Sequence, residues 1–174
     1  MHPTLACPGS SAIATAMPVA TVERIAAHEG QTVTLRGWLA QRRSSGKLHF
    51  LHLRDGTGTI QCVIGKQDVP EDVFALADHL PQETALEVTG SVRADARSPI
   101  GFELGVSGLA VVAKPSAEYP ITPKDHGTAF LLEHRHLWLR SSRQHAVMRV
   151  RAEIIRAARE YLDGQGFLGF DASG

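Results

Sequence analysis

Hydrophobic and polar residues alternate with a period of two between residues 31 and 66, and this alternation predicts β-strands. Three alternating runs cover residues 31–43, 47–55 and 59–66. A Ser-Ser-Gly turn at 44–46 separates the first two runs, and an Asp-Gly-Thr-Gly turn at 55–58, of the type that favours a hairpin, separates the last two. We therefore expect an antiparallel meander with short connections.

The period then changes to that of a helix over residues 70–80, where helical spacing is followed by Val73, Phe74, Leu76, Ala77 and Leu80. Two further alternating runs follow at 84–93 and 102–113, joined by an exposed loop at 94–101, and a short helix at 21–28 precedes the first strand. Three strands, a helix and two strands are the element order of the OB-fold, a five-stranded barrel that binds oligonucleotides or oligosaccharides. The predicted fold class is thus mainly β, or α+β once the C-terminal helix is included.

The rest of the chain predicts a second structural region. We expect a disordered tail at 1–18, the barrel at 19–113, a proline-containing hinge at 114–141 and the start of a further domain at 142–174. A long helix would begin after Ser141 or Ser142 and end near Gly164, followed by a strand at 167–172. The single apolar stripe of this helix needs another domain to bury it. We therefore expect the chain to be truncated. The stripe comprises Val147, Val150, Ile154, Ala158 and Tyr161.

Composition and charge narrow the functional classes. The formal net charge is zero, but five basic and no acidic residues lie between Arg36 and Arg54, and five acidic and no basic residues lie between Val69 and Glu87. The protein can therefore carry one basic and one acidic face, or simply two solvated surfaces. No apolar run approaches the roughly 18 residues of a membrane span. Cys7 and Cys62 lie in such different contexts that we expect no disulfide and a cytoplasmic protein.

One face of the predicted barrel carries side chains suited to RNA. Strand alternation places Phe50, Arg54 and Gln61 on one surface, away from Leu51 and Leu53, and we expect Arg43 on the same surface. An exposed aromatic ring stacks on a base, a glutamine pairs with a base edge, and arginines hold phosphates. The alternative is that Phe50 covers one end of the barrel and is not exposed.

The segment LRGWLAQRRSSGKLHFLHLRDGTGTIQCV, residues 35–63, resembles the anticodon-binding barrel of the synthetases for asparagine, aspartate and lysine. LPQETALEVTGSVRAD and EYPITPKDHGTAFLLEHRHLWLR resemble bacterial asparaginyl-tRNA synthetases in particular. The resemblance extends from about residue 19 to 172. It implies ATP-dependent attachment of asparagine to tRNA in the full-length protein, with Mg²⁺, in a homodimer.

The same resemblance implies roles for individual residues. Phe50 would stack on the central anticodon base, a uridine, and Gln61 would contact that base. Arg43 would also serve the anticodon, and Glu103 would read the first anticodon base. Further contacts to the RNA backbone are expected from basic residues of the same region, which are Arg36, Arg42, Lys47 and Arg54.

GQGFLGFDA, residues 164–172, resembles the first motif of class II synthetases, a helix and strand used for dimer contact, although Ser173 replaces the proline that ends it. The motifs that bind ATP and the amino acid are absent, so we assign no catalytic residue and expect this chain alone to be inactive. His134 and His136 lack the convergent ligands of a zinc site, and we expect no metal. A stand-alone binder of single-stranded nucleic acid and an aspartyl-tRNA synthetase fragment remain alternatives.

Overall fold

The computed structural model describes residues 17–170. The chain divides into two compact units between Glu118 and Tyr119. The predicted disordered tail therefore falls almost entirely outside the described residues, as do Cys7 and the end of the chain from Asp171 to Gly174.

The first unit is a β-barrel with two helices. A 3₁₀ helix covers Val22–His28 and an α-helix, α1, covers Glu71–Asp78, so both predicted helices of this region are present. The structure adds one short strand, at Val19–Ala20, that the hydrophobic pattern did not indicate. The strands are β1 (Val19–Ala20), β2 (Thr32–Ser45), β3 (Leu48–Arg54), β4 (Thr59–Gly65), β5 (Ala85–Ala94) and β6 (Phe102–Ala113).

The sheet closes because β2 pairs with two other long strands. The strand order is β1-β2-β3-β4-β6-β5, and an additional pairing of β2 with β5 joins the two sides. β4 and β6 are parallel, whereas β2–β3, β3–β4, β5–β6 and β2–β5 are antiparallel. Strands β2 to β6 form the closed ring, and α1 lies between β4 and β5 along the chain. This arrangement confirms the OB-fold architecture.

Alternation along the strands fills the barrel interior. Leu51 and Leu53 of β3 and Ile60 and Ile64 of β4 are at most 1% exposed, and the partly buried Phe74 of α1 packs against them as part of the same core. The intervening residues of each strand face outward, as period-two alternation requires. The outer face of β3 therefore displays Phe50, His52 and Arg54.

A β-bulge determines which way Arg43 points. The register of β2 against β3 shifts between Leu39 and Gln41, so that Leu39 still opposes Leu53 but Arg43 opposes Phe50. Strict alternation from Leu39 would have placed Arg43 toward the core. Ala40 is the extra residue of the bulge, and it reverses which face of the sheet each following residue of β2 occupies. Arg43 therefore lies on the outer face.

The two hairpin turns differ in how well the sequence predicted them. At 55–58 the prediction is confirmed: the Asp55 carboxylate accepts hydrogen bonds from the backbone N–H groups of Thr57 and Gly58 at 2.9 and 3.1 Å, and from that of Val22 at 2.7 Å. The turn predicted at 44–46 is displaced, because Ser44 and Ser45 pair with β3 and the turn residues are Gly46 and Lys47. The φ of Gly46 is 58°, which suits a residue without a side chain.

The second unit is helical. It contains α2 (Thr128–Glu133), α3 (Arg135–Trp138) and α4 (Ser142–Gly164), so the segment predicted as a hinge includes two short helices. Ser141 caps α4 by accepting a hydrogen bond from the backbone N–H of Gln144 at 3.4 Å. Residues 167–170 form no strand, contrary to the prediction. A strand needs a paired neighbour for its backbone hydrogen bonds, and the described part of this unit offers none.

Candidate nucleic-acid interface

A groove of about 600 Å³ lies on the outer face of the barrel, where β3 and β4 meet the loop between β5 and β6. Its floor is formed by side chains that alternate with the core residues of the two strands. Its wall is formed by the loop that follows β5. The lining residues are Arg43, Phe50, His52, Thr59, Gln61, Asp95, Arg97, Ser98 and Pro99.

Phe50 and Arg43 form the aromatic and cationic part of the groove. Phe50 is partly exposed, and the Arg43 guanidinium carbon lies 5.0 Å from the centroid of its ring. This distance is within the range of a cation–π contact. The bulge in β2 is what makes the contact possible, because it places Arg43 directly opposite Phe50. Phe50 is therefore a surface side chain and does not close the barrel end.

A row of polar side chains crosses the sheet beside Phe50. Gln61 of β4 lies opposite His52 of β3 and beside Glu103 of β6, all three partly buried. Glu103 is not among the groove-lining residues, but it is next to Gln61 in register. Thus the four residues expected to contact the anticodon lie on three neighbouring strands and at the end of β2.

His52 is kept from acquiring charge in this setting. Burial of the ring lowers its pKa below the ordinary 6.5, and the nearby positive charge of Arg43 lowers it further. A neutral imidazole offers one donor and one acceptor to a base edge, whereas a protonated one offers two donors. At neutral pH the row of side chains therefore presents an uncharged histidine beside an uncharged glutamine.

The wall of the groove is a tightly hydrogen-bonded loop. The Asp95 carboxylate accepts hydrogen bonds from the backbone N–H and from Nε of Arg97, at 3.0 and 3.1 Å. The backbone N–H of Asp95 donates to the carbonyl of Gly101 at 2.9 Å, and that of Gly101 donates to Ser98 at 2.9 Å. The hydrogen bonds from Arg97 lower the pKa of Asp95, and the same pairing raises the pKa of Arg97.

Three of the four basic residues expected to contact the RNA backbone are held in ion pairs. Arg36 Nε lies 2.7 Å from Glu87, Arg42 Nη1 lies 3.1 Å from Asp78, and Arg54 Nη2 lies 2.8 Å from Glu83. Arg54 does not line the groove, although it shares the outer face of β3 with Phe50. The fourth residue, Lys47, is exposed at the β2–β3 turn, and in the described part of the chain it makes no ion pair.

On the inner side of the β2–β3 hairpin, a polar network joins the sheet to α1. Ser44 Oγ donates to Asp78 at 2.6 Å and lies 2.9 Å from Nδ1 of His49, whose ring packs on Phe74 with centroids 4.0 Å apart. The Ser44 hydrogen bond is the main reason that the pKa of Asp78 is lowered. The network ties Arg42 into the fold and lies outside the groove.

The structure adds six groove residues beyond those inferred from the sequence: His52, Thr59, Asp95, Arg97, Ser98 and Pro99. His52 and Thr59 could have been found by strand alternation, which places them on the outer face with Phe50 and Gln61. The loop residues could not, because only the folded connection brings residues 95–99 against β3 and β4.

The remaining polar clusters suggest no other chemistry. Among residues 17–170, no group of three or more His, Cys, Asp and Glu side chains could hold a metal ion. In the second unit, His126, Phe130 and His134 stack with centroid distances of 4.7 and 4.3 Å. Burial raises the pKa of the Cys62 thiol to about 12, which keeps it protonated and unreactive.

No helix in the described part of the chain is both long enough and apolar enough to cross a membrane.

Residues 33–112 match the family described as the OB-fold nucleic acid binding domain, which covers β2 through β6. Over 151 residues, or 87% of this chain, the sequence is 60% identical to an asparagine–tRNA ligase of Thermus thermophilus. Over most of its own length, the chain is therefore homologous to asparagine–tRNA ligases, and it contains an OB-fold nucleic acid binding domain. It spans about a third of the length of the curated relatives it matches, 34% in the case of the Thermus protein.

Solved structures agree with this assignment. The asparaginyl-tRNA synthetase from Pyrococcus horikoshii is 34% identical with a TM-score of 0.76, and the match covers 91% of this chain and 38% of that one. An aspartyl-tRNA synthetase described as putative, from Leishmania major, has a TM-score of 0.78 at 20% identity, covering 97% of this chain and 36% of that one. The second match shows the shared fold alone. The asparaginyl-tRNA synthetase from Pyrococcus horikoshii resembles this chain in sequence as well as in fold.

Proposed function

We propose that this chain provides the anticodon recognition of an asparagine–tRNA ligase. The observation that carries the proposal is the groove in which the partly exposed Phe50 ring lies 5.0 Å from the Arg43 guanidinium and next to Gln61. A stacking plane, a cation and an edge-reading amide in one groove are the parts needed to hold a single unpaired base.

The proposed roles follow the order of the strands. Phe50 stacks on the central anticodon base, a uridine, and Gln61 hydrogen-bonds to the edge of that base. Arg43, already positioned over the ring, neutralises the phosphate beside it. Glu103 accepts hydrogen bonds from the first anticodon base, and its position beside Gln61 in the parallel β4–β6 register supports this assignment.

Backbone contacts are expected to be weaker contributors than the number of arginines suggests. Arg36, Arg42 and Arg54 each already face a carboxylate, so a phosphate gains affinity from them only by competing with that carboxylate. Lys47 has no carboxylate partner among residues 17–170, so it can bind a phosphate without giving up an ion pair there. We therefore expect Lys47 to contribute more to RNA affinity than any one of these three arginines.

The activity of the whole protein is also a proposal. We infer a cytoplasmic, homodimeric ligase that uses ATP and Mg²⁺ to activate asparagine before transfer to tRNA. We assign no ATP- or Mg²⁺-binding residue to this part of the protein. The role of the present residues is to bind and orient the tRNA. The chain alone should not exchange pyrophosphate into ATP in the presence of asparagine.

The proposal can be tested with anticodon stem-loops that differ only in the central base. We expect the 174-residue chain to bind a stem-loop with central uridine more tightly than one with cytidine. Gln61→Ala should reduce this preference, because the edge contact specifies the base, and should lower overall affinity only modestly. Fluorescence anisotropy titrations measure both quantities.

Lys114→Ala, at the end of β6 and away from the groove, is the matched control and should bind as the wild type does. Equal affinity of the wild-type chain for the two stem-loops would contradict the proposal and favour a general binder of single-stranded nucleic acid.

A further inference from the structure

Arg97 is positioned to act as a phosphate-binding cation, yet it is paired within its own loop. Its side chain is 87% exposed at the rim of the groove, whereas the side chain of Asp95, its partner, is only 12% exposed. Asp95 accepts hydrogen bonds from the backbone N–H, Nε and Nη2 of Arg97, the last at 3.5 Å. The carboxylate thus holds both the backbone and the guanidinium of the same residue.

The pairing leaves the groove with little net charge. Its lining contains two cations, Arg43 and Arg97, one carboxylate, Asp95, and a histidine whose pKa is lowered by burial and by Arg43. Arg43 lies over Phe50, so its charge is directed at the stacking site. Arg97 is the cation of the loop wall, and Asp95 neutralises it.

A low net positive charge matters because attraction to phosphate does not depend on base sequence. A cation that is free to bind phosphate adds a second way of binding, in which the backbone of any RNA is held whether or not its base fits the groove. Affinity then rises for every RNA and the preference for one base falls. A groove that must distinguish one base from another benefits when its affinity comes from stacking and edge contacts.

We propose that Asp95 is a specificity-determining residue of the anticodon groove. By holding Arg97 in an ion pair, it prevents this cation from binding phosphates of any RNA, so that affinity depends on the base contacts at Phe50 and Gln61. The inference rests on the proposed function, since it concerns how the same groove selects its RNA.

The test uses the full chain and the two stem-loops with central uridine or cytidine, titrated over a range of salt concentrations. Asp95→Asn keeps a side-chain oxygen that can accept from the Arg97 backbone but removes the charge that neutralises the guanidinium. We expect both stem-loops to bind more tightly, the slope of log affinity against log salt to steepen by about 0.7 for one added single-strand phosphate contact, and the preference for uridine to fall.

The double variant Asp95→Asn with Arg97→Gln is the decisive arm. If Arg97 carries the effect, the double variant should return to the wild-type salt slope and to the wild-type preference for uridine. A double variant that behaves like Asp95→Asn alone would overturn the inference, as would an Asp95→Asn variant with an unchanged salt slope.

Two further variants separate this effect from general charge and from loop unfolding. Asp72→Asn makes the same charge change on exposed α1, away from the groove, and should leave the salt slope within error of the wild type. A matching increase in that variant would contradict the inference. Arg97→Lys keeps Asp95 and the cation but loses the forked geometry that holds the ion pair. It should steepen the salt slope as Asp95→Asn does, and an unchanged slope would count against the inference even if Asp95→Asn failed to fold.

The two hypotheses fail in different ways. If the wild-type chain does not distinguish uridine from cytidine, the proposed function fails and this inference with it. If the wild type distinguishes them but the variants of Asp95 and Arg97 leave the slope unchanged, only the inference fails.

Discussion

The barrel buries its large apolar residues, whereas the helical unit leaves many of them exposed. Leu35, Leu51 and Leu53 of the barrel are fully buried, whereas Val150, Ile154 and Tyr161 of α4 are 60%, 64% and 68% exposed. A closed sheet encloses one side of all its strands, so alternation alone is enough to build a core. A single helix cannot enclose its own stripe and needs a surface supplied by something else. In the described residues from 119 to 170 no side chain is buried.

Because of this difference, substitutions in the two units are expected to report on different properties of the chain. The barrel has its own core, so substitutions on its outer face can be interpreted as effects on binding. The helical unit has an unsatisfied apolar face, so substitutions there are expected to change association before they change anything else.

The largest effect expected is on folding stability. Leu51→Ala removes a fully buried side chain of β3 and should lower the free energy of unfolding by about 2–5 kcal/mol. Ile154→Ala removes a side chain of α4 that is already 64% exposed and should change it by less than about 0.5 kcal/mol. Urea unfolding followed by circular dichroism at a β-sheet wavelength measures both. Similar losses of unfolding free energy in the two variants would mean that α4 is buried in solution. The contrast between the buried barrel residues and the exposed helix residues would then not hold.

The second effect separates the two faces of one strand. Phe50 is the neighbour of Leu51 but points into the groove, so Phe50→Ala should weaken binding of the central-uridine stem-loop by about 1–3 kcal/mol. Its melting temperature should stay close to that of the wild type, unlike that of Leu51→Ala. Paired melting and anisotropy measurements test this. A large melting loss for Phe50→Ala would mean that the ring stabilises the fold, and its effect on binding would then be indirect.

The third effect concerns the exposed face of α4. Its apolar stripe should drive self-association of the chain, and Ile154→Glu should raise the concentration needed for association by about tenfold, equivalent to about 1.4 kcal/mol. Sedimentation velocity over a concentration series measures the shift. Glu153→Gln, a polar change on the same helix, is the control. A chain that stays monomeric at all concentrations, or an Ile154→Glu variant with wild-type association, would contradict this expectation.

The barrel was largely predictable because its information is local. Period-two alternation predicted all five long strands to within about two residues and placed Phe50 and Gln61 on the outer face. The Asp-Gly turn at 55–58 was also correct, since one carboxylate accepts most of its hydrogen bonds. Where prediction failed at 44–46, the glycine and not the serines supplied the turn conformation.

The features that could not be predicted depend on the folded chain. The bulge at Ala40 is invisible in the alternation, although it decides that Arg43 faces Phe50. The ion pairs of Arg36 with Glu87 and of Arg54 with Glu83 join residues on different strands or connections, so the charge pattern along the sequence overstated the free positive charge. The helices within 114–141 were missed because the prolines that precede them, Pro115, Pro120 and Pro123, suggested a linker.

The smallest effect expected is on the pH dependence of stability. Folding lowers the pKa of His52 below the 6.5 of an unperturbed histidine, first through burial and then through the charge of Arg43. Below about pH 6.5 the unfolded chain therefore binds a proton more readily than the folded chain does, and the free energy of unfolding falls as the pH falls. The effect ends below the folded-state pKa, where both states are protonated.

His52→Gln removes this titration while keeping a polar side chain in the groove. The loss of unfolding free energy between pH 7 and pH 5 should be smaller in this variant than in the wild type. His136→Gln, in the helical unit, is the control, because its side chain is exposed and lies outside the barrel. Urea unfolding at the two pH values measures each difference. If His52→Gln lost as much stability as the wild type, or if His136→Gln showed the same protection, the acid sensitivity would not arise from the groove. Burial of the His52 ring would then not explain a difference in acid sensitivity between the barrel and the helical unit.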